Sequence, residues 1–175
     1  PEAIGCLTTA ESLDPDNSQI LGLLGFTYLK LRRTEMAVAV LSRGVELAPD
    51  SVELYTAYLN AMVVEAIRRF RRGDTDLARQ MLEFLIERGV SEPLSRWYLA
   101  YSYRKLGRDA EALEQYDWIL QRNPNDSILL LHRAEILYHM GQIESARSTI
   151  SAFGVEEDET PDVPTLHRLL AIEAY

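Results

Sequence analysis

Apolar positions along this chain recur at three- and four-residue intervals, as in Leu21, Leu24, Tyr28 and Leu31. That spacing places them on one face of a helix. Each such stretch runs into a short polar break, "RRTE", "RRGDTD", "LGRD" or "MGQI". A second helical stretch follows and stops at Pro or Gly. The pattern predicts ten helices, over 2–13, 18–31, 34–48, 51–72, 74–88, 92–106, 109–122, 126–140, 142–153 and 163–174. No stretch alternates in the manner of a strand. Residues 151–164, "SAFGVEEDETPDVP", form the longest predicted connection.

The breaks keep a period. Small residues recur at Ala3, Ala37, Ala78, Ala112 and Ala146, with gaps of 34, 41, 34 and 34. Pro15, Pro49 and Pro124 each stand twelve residues after their alanine, and Tyr28, Tyr103 and Leu137 nine before. Gly73, Gly107 and Gly141 stand five before. A fixed interval of this length marks stacked supersecondary units. The alanines suit positions where two helices approach closely. The glycines suit a left-handed helix stop, and the prolines cannot continue the second helix. The single 41-residue gap adds seven residues within 51–72. Seven residues are two turns, about 10 Å of length with only about 20° of phase drift. One face can then stay buried, so 51–72 is expected to be one unbroken helix that offsets the repeats after it.

The phased landmarks resemble the tetratricopeptide repeat family. One copy reads Leu21, Leu24-Gly25, Tyr28, Ala37, Leu41 and Pro49; another reads Leu99-Ala100, Tyr103, Ala112, Tyr116 and Pro124. A weaker copy, Leu130, Ala134, Leu137, Ala146 and Ile150, has Arg133 in a leucine slot and lacks the proline. The resemblance implies an all-α, right-handed superhelical solenoid of antiparallel helix pairs. Its units would be 1–17 (second helix of a truncated repeat), 18–51, 52–92 with the longer first helix, 93–126, a degenerate 127–160, and 161–175 (first helix of a truncated repeat). First helices would line a concave groove. The family's carboxylate clamp does not appear: its slots hold Gly22, Phe26, Leu94, Tyr98 and His132, so binding of a chaperone tail is not expected.

Charge narrows the partners. The net charge is −9, from 27 acids and 18 bases, which argues against nucleic acid as a ligand. No apolar run approaches the roughly 18 residues of a membrane span. Cys6 is the only cysteine, so no intrachain disulfide forms. Both ends lie inside helical patterns, and the expectation is a piece of a longer protein. Cytoplasm and periplasm stay open, with targeting signals expected outside the piece.

First helices are apolar on a second face too, and such a face must be covered or sticky. By the resemblance, this second stripe lines the groove. The candidate partner-binding residues are Phe26, Val63, Ile67, Phe70, Trp97, Tyr101, Arg104, Lys105, Leu131 and Tyr138. Trp97 and Tyr101 lead, because aromatics tend to carry interface energy; Arg104 and Lys105 would meet acids on the ligand. The competing reading is that these residues complete the core between repeats. Tyr116, Trp118 and Met140 read as packing residues. Cations gather where first helices end, at Lys30, Arg32 and Arg33 and again at Arg68, Arg69, Arg71 and Arg72. They serve either helix-end electrostatics or an acidic partner.

No catalytic motif is present, and no cofactor is implied. His132, Glu135 and His139 share a helix face, but the histidines stand about 10 Å apart along the axis, too far to share a metal. The expected function is a non-catalytic scaffold that binds a protein, as a peptide or partner helix, in an aromatic-lined groove. The alternatives are a docking arm of a larger enzyme or of a bacterial-type secretion or assembly machine, and self-association of the repeats.

Overall fold

The computed structural model describes residues 2–151. Over these residues the chain is all-α, built of antiparallel helix pairs: α1 (Glu2–Leu13), α2 (Ser18–Lys30), α3 (Thr34–Leu47), α4 (Val52–Arg72), α5 (Thr75–Glu87), α6 (Pro93–Lys105), α7 (Asp109–Leu120), α8 (Ser127–His139) and α9 (Ile143–Ser151). Starts are set by side chains that accept orphan amides. Asn17 caps α2 through Gln19 and Ile20, Ser51 caps α4 through Leu54, and Asp126 caps α8 through Leu129. Pro93 opens α6, where its missing N–H costs nothing. The expected helix 163–174 and the acidic stretch 152–164 lie outside the described residues.

The turn within each pair repeats one device. Gly73, Gly107 and Gly141 take φ of 94°, 72° and 76°. The amide after each reaches back to Arg69, Tyr103 or Leu137, closing a Schellman turn. In the first turn the same station is Arg32, with φ 58° and the same closing bond from Arg33 to Tyr28. A non-glycine residue in this conformation costs roughly 1 kcal/mol.

The chain divides into two compact units, Pro1–Ser91 and Glu92–Tyr175. In the first, Leu24, Tyr28, Ala37, Leu41 and Ala61 form a core, with Ile4, Leu7, Leu54 and Tyr58 packed against it. Gly25 explains its own slot: a Cβ there would lie 2.3 Å from Leu41 Cγ. Ala37 and Ala78 are fully buried. Ala3 is exposed, a correction to the reading of the alanines, because α1 packs through Ile4 and Leu7 instead.

Helix α4 runs unbroken for 21 residues. Leu59, Met62, Ala66 and Phe70 stay buried along it, so the extra two turns keep one face inward. One charge shares that burial. Glu65 is 3% exposed and accepts from the Thr34 hydroxyl of α3 and from Arg68 and Arg69, both at 2.6 Å. Arg68 and Arg69 also bind Glu35 at 3.1 and 3.0 Å. Burial works against the Glu65 carboxylate, yet these donors hold its pKa down at about 2.

In the second unit, Ala112 and Tyr116 of α7 are fully buried, with Leu99 and Tyr103 of α6 close to it. Leu131, Ala134 and Ile150 join α8 to α9. Arg133 replaces the expected leucine by reaching Asp117 Oδ1 and Thr149 Oγ1, both at 2.6 Å. Tyr116 is core, as its spacing predicts, but Met140 is exposed at the end of its helix. Trp118 is half-buried, its ring between the guanidinium groups of Arg96 and Arg122 at 4.1 and 3.3 Å.

Candidate functional site

Helix α6 presents Trp97, Tyr101 and Arg104 at intervals of four and three, one stripe along its length. The Trp97 and Tyr101 rings stack at 5.3 Å and 14°. Tyr101 meets the edge of His132 on α8 at 6.0 Å. His132 in turn stacks on Tyr116 of α7 at 5.7 Å and 12°. Four rings from three helices thus form one row, with half-buried Trp97 and Tyr101 at its outer end and buried Tyr116 at its base. Such a row fixes the outer rings before any ligand arrives, which lowers the ordering cost of binding.

Polar groups lock the row from the side. The Arg104 guanidinium donates to His132 Nδ1 at 3.0 Å. Arg104 also pairs with the Glu135 carboxylate. Burial pushes Glu135 up, but His132 and Arg104 outweigh it and hold the carboxyl below the usual range. The Tyr116 hydroxyl is buried with no geometric hydrogen bond among the described residues; burial raises its pKa against the opposing pull of Arg104. Lys105 is exposed, its ammonium 5.9 Å from the Tyr101 ring centroid.

The candidate residues therefore separate. In the second unit, Trp97, Tyr101, Arg104 and Tyr138 are half-buried and Lys105 is exposed, but Leu131 is only 5% exposed and packs against α9. Arg104 already has an acid within its own unit, Glu135, and so acts as a brace. In the first unit, Phe26 is 56% exposed, with the Lys30 ammonium 5.2 Å from its ring centroid. Val63 and Ile67 are half-buried; Phe70 is 8% exposed and belongs to the packing. The buried charges were the harder feature to foresee. Glu135 shared a helix face with two histidines and Glu65 stood three and four residues before arginines, but neither signal said that the acid would turn inward.

Among the described residues, no group of His, Cys, Asp and Glu is arranged to hold a metal ion. No described helix is long and apolar enough to cross a membrane.

Comparison with known proteins agrees with this architecture. A family model described as tetratricopeptide repeat matches residues 63–127 and 99–153, and a second of the same description matches residues 18–51. No curated protein matches the chain. Among solved structures, MamA from AMB-1 is 23% identical with a TM-score of 0.60, covering 90% of this chain and 82% of that one. MamA from MSR-1 is 21% identical with a TM-score of 0.53, over 99% and 88%. YrrB, described as a TPR protein with an unusual peptide-binding site, is 18% identical with a TM-score of 0.57, over 83% and 72%. At these identities the likeness is one of fold.

Proposed function

Because this chain belongs to the tetratricopeptide repeat family, we propose that it is a non-catalytic scaffold that binds a segment of a partner protein. The observation that carries this reading is the row Trp97–Tyr101–His132–Tyr116. Its outer rings are partly exposed, rigid and braced by Arg104 and Glu135, the arrangement expected of interface anchors. A peptide or partner helix would lie across α6 and α8, with apolar groups on Trp97, Tyr101 and Tyr138 and an acidic group toward Lys105. YrrB carries a peptide-binding site on the same fold, which supports a peptide as the ligand class. Phe26, Val63 and Ile67 offer a second apolar face in the first unit; Phe70 and Leu131 back the two faces from beneath.

The test is binding of a peptide selected by display against the wild-type chain. The double variant Trp97→Ala, Tyr101→Ala is expected to lose about tenfold or more in affinity, in line with anchor residues, while its helical circular dichroism is retained. Unchanged affinity in a folded variant would count against the site.

A further inference from the structure

We infer that the first unit carries a separate docking edge for an acidic, apolar-anchored peptide segment, centred on Arg32. Exposed cations gather at one end of this unit. Lys30 closes α2, Arg32 and Arg33 form the turn into α3, and Arg72 closes α4. Their proximity follows from the contacts beside them. Thr34 reaches Glu65, and Glu35 reaches Arg68 and Arg69, so the start of α3 lies against the last turns of α4.

The acids at this end are already engaged. Glu65 is buried between Arg68 and Arg69, Glu35 binds the same two arginines, and Asp74 binds Arg69 at 3.4 Å. Lys30, Arg32, Arg33 and Arg72 have no ion pair among the described residues. A positive edge in a chain of net charge −9 is a local field that attracts an acidic partner.

Arg32 supplies the independent observation. Its φ of 58° is the left-handed conformation that glycine supplies at the three equivalent turns. The Arg32 side chain is exposed and has no hydrogen bond or ion pair among the described residues. The turn uses the backbone conformation and not the side chain, which leaves the Arg32 charge facing solvent.

The apolar part of the ligand follows from α2. Leu23 and Phe26 are 59% and 56% exposed, and with Lys30 they lie on one face at intervals of three and four. Beside Leu23 opens a recess of about 560 Å³, lined by Gln19, Gly22, Leu23, Ser51, Glu53 and Leu54. A segment lying along α2 meets apolar surface first and cations last. Its apolar residues therefore face Leu23 and Phe26, and its acids face Lys30, Arg32 and Arg33. The short extent of the basic edge and its apolar continuation favour a peptide over nucleic acid or a lipid surface.

The test is fluorescence anisotropy of the full chain with a labelled peptide of two leucines followed by a run of glutamates. Wild type is expected to bind, with affinity that falls as salt rises. Arg32→Gly with Arg33→Gln is expected to weaken binding about tenfold, while Tm stays equal to or above that of wild type because the glycine relieves the turn. Trp97→Ala with Tyr101→Ala is expected to leave this binding unchanged, which separates the edge from the aromatic site. No binding by wild type, or equal binding by the Arg32 and Arg33 variant, overturns the proposal. So does binding of a single-stranded oligonucleotide or of phosphatidylserine vesicles in place of the peptide.

Discussion

The Thr34 hydroxyl donates to the Glu65 carboxylate across 31 residues of sequence, joining the first turn of α3 to the inner face of α4. With Arg68 and Arg69 bound to the same carboxylate, the longest helix of the unit is pinned at a fixed register. The pin works only while Glu65 is ionised. Its pKa falls from an ordinary 4.5 to about 2, a difference worth about 3 kcal/mol. A depressed carboxylate stabilises the fold above its unfolded pKa and loses that contribution as pH falls through its folded one. Glu65→Gln is therefore expected to be less stable than wild type at pH 7. The gap should narrow below pH 4.5 and close near pH 2. Urea midpoints measured by circular dichroism across this range check it; a gap independent of pH contradicts it.

Ala112 is fully buried on α7, which packs against α6. Ala112→Leu is expected to cost roughly 1–3 kcal/mol by overpacking. Gly25→Ala should act in the same direction, since the new methyl meets Leu41. Denaturant midpoints test both; a neutral Ala112→Leu would mean the helices meet elsewhere.

Tyr116 separates shape from polarity. Its ring is the base of the aromatic row, but its hydroxyl makes no geometric hydrogen bond among the described residues. Tyr116→Phe keeps the ring and removes an unsatisfied group, so stability should stay the same or rise by about 1 kcal/mol. Tyr116→Ala removes the ring as well and is expected to cost about 3 kcal/mol or more. Thermal unfolding of the two variants decides whether the ring or the hydroxyl matters.

Much of the helical framework was legible because it depends on local rules. The buried alanine stations after Ala3, the glycine stops and the seven-residue insertion in α4 follow from spacing alone, and among the described residues the limits of α1 to α8 and the start of α9 fall within two residues of those expected. Side-chain fate was less legible. Spacing put Phe70 and Leu131 on the second stripe, but a stripe does not say how much of itself a neighbouring helix covers. Nor does it say whether a charge is buried. Arg104 looked available until Glu135 and His132 met it from α8, an interaction spanning 31 and 28 residues of sequence. Arg32 stood in plain sight where the other described turns within a helix pair have glycine, yet its left-handed conformation is visible only in φ.

The most direct measurement uses the two indoles of the chain, Trp97 and Trp118. Trp118→Phe keeps an aromatic face for Arg96 and Arg122 and leaves Trp97 as the sole indole, excited selectively over the tyrosines at long wavelength. Titrating that variant with a display-selected peptide should shift the Trp97 emission to shorter wavelength, with a midpoint equal to the affinity measured by calorimetry. A peptide that binds by calorimetry while the Trp97 emission stays unchanged would contradict the placement of the binding face on α6.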